Sequence, residues 1–298
     1  MEELLKESEV AKLWQSIART GDYHKKMEEV SPREMEIQAV VGASGVSAGR
    51  GGKEALWRAS AELTAWKEAG GEIHRENSSL SALADDRLLQ HLHDTVKCDS
   101  LIRCRVRPSK DGRYLFMTGP AQEGDDPELK MILEEQLRDV VMEVEGLGRF
   151  VLERSVEWFE TRLDWLGTEI RLTFDQDEEE EMESAIETAR ILMGDQQGWD
   201  RRIREYAADQ LLDLANEWAE NAADGENAAD GEDEALSADG GQLVSREQFM
   251  ERMELESVQA GEDGDFEFWF YDGDMFYGHS IHVTGNVEDG PDWAGMEG

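Results

Sequence analysis

Cysteine is almost missing from this chain: Cys98 and Cys104 are its only two among 298 residues. Two thiols six positions apart cannot make a disulfide framework or, by themselves, a four-ligand zinc site, so the expectation is two buried thiols in a reducing cytosol. Basic residues are also short. Thirty Lys and Arg stand against 69 Asp and Glu, a formal charge of −39. Such a surface repels phosphate backbones, anionic lipid and acidic substrates, which argues against direct nucleic-acid binding. Lysine is scarcer than arginine, and the same acidity would suit a surface solvated in high salt. Long apolar runs are absent too. The start, MEELLKESEVAKLW, is charged from its second residue, and no stretch reaches the length of a signal peptide or membrane span. A cytoplasmic protein is predicted, with neither export nor membrane contact. No complete cofactor motif and no nucleophile–base arrangement is present, and no cofactor is expected.

What is present divides in two, as the length leads one to expect. Residues 1–30 read as a polar helix with Leu4, Leu5, Val10, Leu13, Trp14 and Ile17 on an incomplete apolar stripe, closed by Pro32. Residues 31–144 alternate strand and helix patterns. Met35 to Val41 reads as a strand, the Gly-rich GASGVSAGRGG as a loop, and Ala55, Leu56, Ala59, Leu63 and Trp66 as one face of a helix. Glu72 to Arg75 reads as a short strand, Leu83 to Val96 as a helix, and Leu101 to Arg107 with Arg113 to Thr118 as a hairpin. Pro127 opens a further helix. From 145 the pattern changes to short β segments, GRFVLER, VEWFETRLDW and GTEIRLTFD, then two helices. In the second, Trp199, Ile203, Tyr206, Leu211, Leu214 and Trp218 mark about five to six turns. Residues 221–241, with a doubled NAADGE, are too poor in apolar groups to order themselves and read as a flexible acidic loop. Ser245 and Gln248 then have capping-box spacing. The predicted class is α+β: an N-terminal α/β-type sandwich with a short sheet, and a C-terminal antiparallel sheet packed by two amphipathic helices.

Chemistry concentrates in FEFWFYDGDMFYGHSIHVTG. Phe266, Phe268 and Phe270 alternate with Glu267, Trp269 and Tyr271, and a second strand carries His279, Ile281 and Val283 against His282. The pattern predicts a hairpin with Asp272, Asp274 and His279 near its tip. Two carboxylates and an imidazole there would suit a divalent metal or a shared proton, with Asp164 or Asp175 as an outside carboxylate. The plainer reading is turn chemistry and a histidine satisfied by a loop carbonyl or by Asp274. Gly42, Gly45 and Gly49 would cradle an anion if a helix followed them, yet they match neither phosphate-loop nor dinucleotide spacing. His91 and His93, two apart on a predicted helix, do not share a face. The acids from Asp175 to Glu181 read as helix-capping charge. Trp269, Tyr271, Phe276 and Tyr277 are candidate anchors for a protein partner, because aromatics dominate interface hot spots.

GRFVLERSVEWFE, WDRRIREYAADQLLDLANEW, SREQFMERMELESV and WFYDGDMFYGHSIHVTG occur in that order, and together they resemble a bacterial family of uncharacterised proteins, DUF2262, over about the C-terminal half. The first half resembles the companion region of longer members. The resemblance implies a cytosolic bacterial α+β protein and no chemistry. The leading expectation is a non-enzymatic binding module, of immunity or inhibitory type, docking a basic protein by electrostatic steering and aromatic anchoring. The alternatives are a metal-assisted hydrolase at Asp272, Asp274 and His279, and an acidic mimic of nucleic acid.

Overall fold

A computed structural model describes residues 6–52, 54–223 and 243–298. Leu4, Leu5, Lys53 and most of the acidic stretch lie outside the described residues. The chain forms two compact units, Met1–Asp139 with Arg154–Val156, and Val140–Glu153 with Glu157–Gly298. Among the described residues no helix is long and apolar enough to cross a membrane.

Unit 1 runs α1 (Glu7–Ile17), α2 (Gly21–Glu29), β1 (Met35–Gly49), β2 (Trp57–Glu68), β3 (Ser78–Ala84), α3 (Asp86–Thr95), β4 (Leu101–Pro108), β5 (Tyr114–Met117), β6 (Gln122–Glu123) and α4 (Pro127–Gln136). The single N-terminal helix expected from sequence is therefore two, because Thr20 accepts the Tyr23 N–H at 3.3 Å and starts a new one. The sheet order is β1-β2-β3-β5-β4-β6, and β1 also pairs with β4, so the strands close on themselves. β3 and β5 are parallel and the other five pairs antiparallel. With α3 between β3 and β4, this is the connectivity of an OB-type barrel, which leaves little free strand edge. Val10, Trp14 and Ile17 of α1 and Leu88 and Leu92 of α3 share the core with Leu63, Leu80 and Phe116. Leu129 of α4 packs on a smaller cluster with Val40, Ala65 and Leu101.

Other sequence expectations fail in this unit too. The helix expected across Ala55–Trp66 is strand β2, in which Ala59, Ala61 and Leu63 are buried and Glu62 is exposed. Ala59, Ala61, Leu63 and Ala65 alternate as in a strand while Ala55, Ala59, Leu63 and Trp66 keep helical spacing, and pairing with β1 and β3 overrides the helix preference of the alanines. The short strand at Glu72–Arg75 is reduced to one bridge, Trp66↔His74. Cys104 is buried, which pushes its thiol up to about 12, whereas Cys98 is exposed.

Unit 2 runs β7 (Val141–Val144), β8 (Gly148–Glu153), β9 (Trp158–Trp165), β10 (Thr168–Asp175), α5 (Glu179–Gly194), α6 (Gln196–Ala223), α7 (Arg246–Arg252), β11 (Glu254–Ala260), β12 (Asp265–Tyr271), β13 (Ser280–Asn286) and β14 (Gly290–Glu297). Its eight strands lie in the order β14-β13-β12-β11-β10-β9-β8-β7, antiparallel except for β10 and β11. Phe266, Phe268 and Phe270 are buried, as their alternation predicts. Phe266 meets Trp199 of α6 at 5.3 Å and Phe268 meets Trp165 at 5.5 Å. Each such ring contributes about 1.5–3 kcal/mol by leaving water. At 28 residues α6 exceeds the expected five to six turns, starting before Trp199 at Gln196 and running past Trp218 to Ala223, while Ala207, Ala208 and Ala215 complete its buried face. It takes in Asn221–Ala223, which the sequence had assigned to the acidic loop. Ser245 forms the expected capping box on α7 with Gln248.

Candidate functional site

The connection from β12 to β13 is organised around Asp272, which is completely buried. Its Oδ1 accepts the Asp274 N–H at 3.1 Å, and its Oδ2 accepts those of Phe276 at 2.5 Å and Gly278 at 3.2 Å. The backbone winds through positive φ at Gly273 (58°), Asp274 (63°), Tyr277 (55°) and Gly278 (84°), so its amides need an acceptor inside the loop. Glycine is required at 273, where a Cβ would stand 2.5 Å from the Arg252 carbonyl oxygen. The Tyr271 hydroxyl donates to Asp274, and this bond pushes its pKa up to about 12. His279 Nδ1 donates to the Phe276 carbonyl at 2.6 Å.

Asp272, Asp274 and His279 are therefore near one another but engaged within the loop. Asp164 accepts the Gly167 N–H at 3.1 Å and Asp175 is bonded by Gln259 at 3.0 Å, so neither joins them. Among the described residues no group of three His, Cys, Asp or Glu side chains is disposed to hold a metal ion. Of the aromatic candidates, Phe276 is a correction: it is fully buried, against Trp218 at 5.7 Å, and cannot meet a partner. Tyr277 is 43% exposed.

A different cluster occupies the other face of the same strands. Register places Trp269 opposite His282 and Glu267 opposite Thr284, then His282 opposite Gly295 and Thr284 opposite Trp293. The His282 ring stacks on Trp269 at 3.8 Å and 10°, and meets Trp293 edge-on at 5.4 Å and 71°. Its Nε2 lies 2.9 Å from Glu267 Oε2, and its Nδ1, 3.8 Å from Glu297 Oε1, makes no hydrogen bond. Gly295 makes the arrangement possible, since a Cβ there would collide with the Trp293 indole. Beside Glu267, partial burial of the carboxyl raises the pKa of Asp175, and the charges of Glu267 and Asp177 raise it further. The patch presents the exposed Trp293 indole, with the Glu267 and Glu297 carboxylates on either side of the His282 ring. Alternation had separated His282 from His279. Only the β13–β14 register brings Trp293 and Glu297 to it, and no local signal in the sequence specifies that register.

The anion candidates Gly42, Gly45 and Gly49 lie within strand β1, with no helix N-terminus behind them, so the expected cradle is not formed. Gly45, at φ 64°, sits where the β1–β2 register shifts and a Cβ would come 3.2 Å from the Cys98 amide nitrogen. It lines an open cleft of about 440 Å³ with Ser44, Ser47, Ser60, Asn77 and Arg113.

Comparison with known proteins gives no activity. No curated protein matches. A solved structure described as "Molecular basis for abrogation of activation of pro-inflammatory cytokines" is 11% identical, with a TM-score of 0.22 over 50% of this chain and 78% of that one. Another, "Structural mimicry for functional antagonism", is 10% identical, with a TM-score of 0.22 over 50% of this chain and 76% of that one. Likenesses at this level carry no argument. Residues 24–136 match a domain of unknown function, DUF7021. Residues 144–296, more than half of the chain and nearly all of unit 2, match an uncharacterized protein conserved in bacteria, DUF2262, and the chain belongs to that family.

Proposed function

We propose that this protein is a non-enzymatic binding module that holds a basic protein partner on the outer face of unit 2. The observation that carries the reading is the His282 ring held between Trp269 and Trp293 with Glu267 and Glu297 beside it. Trp293 is 45% exposed. A large aromatic side chain in water has little to do for the fold and much to offer a docking cation. Around it lies a chain with a formal charge of −39, which steers a basic protein inward and discourages nucleic acid and anionic membrane. The buried turn centred on Asp272 joins β12 and β13, two of the three strands that present the patch.

Capture from native bacterial lysate on immobilised full-length protein tests the reading, using wild type, Trp293→Ala and the remote double reversal Asp213→Lys/Glu217→Lys. A basic protein is expected, lost near about 0.5 M salt as exposed charges are screened. It should be lost with Trp293→Ala and kept by the α6 reversal. Capture indifferent to salt or to Trp293 refutes the proposal. A captured protein displaced by competing DNA would replace it with nucleic-acid mimicry.

A further inference from the structure

Beside the last strand of the unit 2 sheet runs an open cleft of about 500 Å³ between β7 and α5. Its apolar lining comes from Met142 and Val144 on β7 and Met182 and Ile186 on α5. Two side-chain columns of α5 border it, each with the four-residue spacing that aligns groups on a helix. One is Met182, Ile186 and Arg190, and the other is Glu179, Glu183 and Glu187. Glu143 and Glu145 add carboxylates from the strand side. Arg190 reaches Glu187 at 3.4 Å. Among the described residues Glu143, Glu145, Glu179 and Glu183 have no ion-pair partner.

Glu179 lies in the first turn, where the helix dipole favours an acid. Glu183 and Glu187 lie beyond it, and like charges four apart repel, so the column works against the isolated helix. β7 ends the sheet, and nothing in the sheet order covers its far side. Methionine suits such a floor because its flexible thioether adapts to varied side chains.

We infer that this cleft is a docking groove for an amphipathic α-helix whose lysines or arginines recur every fourth residue beside an apolar stripe. The apolar stripe settles on Met142, Met182 and Ile186. The basic row runs alongside Glu179, Glu183 and Glu187, as charged flanks do in paired helices. Charge complementarity selects this occupant. Helix rather than strand follows from the columns on α5, whose repeat matches another helix laid beside it. The inference extends the proposed binding of basic partners to a second surface, and it can fail without the first because the two share no residue.

The test uses the full-length protein and a labelled synthetic helix of about four turns, leucines on one stripe and lysines every fourth residue. A scrambled peptide of the same composition is the control, with binding read by fluorescence anisotropy. The helical peptide should bind on the order of tenfold tighter than the scrambled one. Glu183→Lys/Glu187→Lys should abolish that preference, and the isosteric Glu183→Gln/Glu187→Gln should reduce it if the lysine pair disturbs folding. Trp293→Ala and Asp213→Lys/Glu217→Lys should leave it intact. Equal affinity for both peptides, or equal losses from the α5 and α6 reversals, would overturn the groove and leave only general attraction to an acidic surface. Loss of peptide binding with Trp293→Ala would move the site to the outer face.

Discussion

Asp272 gives the sharpest contrast between a structural and a chemical role. Its carboxylate accepts three backbone amides in a site closed to water. Hydrogen bonds to a charged acceptor contribute about 1.5–3 kcal/mol each, and buried donors left unsatisfied cost about 1–3 kcal/mol. Asp272→Ala orphans all three donors, and after partial relaxation of the loop should cost about 4 kcal/mol. Asp272→Asn has a gentler solution. Its amide oxygen can face Phe276 and Gly278, leaving one repulsive contact between its NH2 and the Asp274 N–H, for about 2 kcal/mol. Urea unfolding followed by tryptophan emission suits the measurement, because Trp218 lies 5.7 Å from Phe276. The two units should be fitted separately, since a two-domain chain need not unfold in one step. With an m-value near 2 kcal/mol/M, the unit 2 midpoint should fall by roughly 2 M for Ala and 1 M for Asn. A carboxylate kept for metal chemistry behaves in the opposite way: its removal stabilises the fold, and divalent ions stabilise only the wild type. An Ala variant within about 0.2 M of wild type, or an Asn variant worse than Ala, would refute the reasoning.

Gly285→Ala should cost at least about 2 kcal/mol, because the new Cβ runs into the Gly290 carbonyl oxygen with Pro291 Cα 2.6 Å away; an unchanged unfolding midpoint would contradict the β13–β14 register. Asp175→Asn tests electrostatics on the outer face. Since the folded pKa is raised, the ionised form carries a cost that is complete above that pKa, shrinks as pH falls through it, and vanishes below the ordinary carboxylate value. The Asn variant should therefore be the more stable near neutral pH, by only about 0.5 kcal/mol for so exposed a group, with the advantage gone in acid. A difference constant with pH would show that packing is responsible.

Much of unit 2 was legible because its residues agree at several levels. Phe266, Phe268 and Phe270 alternate, the intervening positions are polar or amphipathic, and Asp272 and Gly273 turn the chain, so period and turn chemistry point to one hairpin. Ser245 with Gln248 likewise announced α7. β2 was not legible: its alanines fit a helix as well as a strand, and only neighbouring strands decide. β1 carried through Gly42 and Gly49 for the same reason, since a bulge at Gly45 lets a glycine-rich run remain paired. The outer-face cluster depends on register between β13 and β14, and the groove depends on which strand ends the sheet. Both are long-range facts that no window of sequence contains.

The lone parallel neighbours in unit 2 have a consequence for how its length can vary. β7–β10 and β11–β14 are each a four-strand meander built by short turns, and they meet along a seam of three residue pairs, Arg171↔Ser257, Leu172↔Val258 and Thr173↔Gln259. The chain between Asp175 and Glu254 is the bridge that brings the seam together. Closing a long bridge depends on the logarithm of its length, so extra residues within it add little to the entropy lost. One residue added inside a strand of either meander must be taken up by a bulge or it turns the rest of that strand over. The acidic stretch after α6 falls in the bridge, where the architecture is indifferent to how much chain is threaded through.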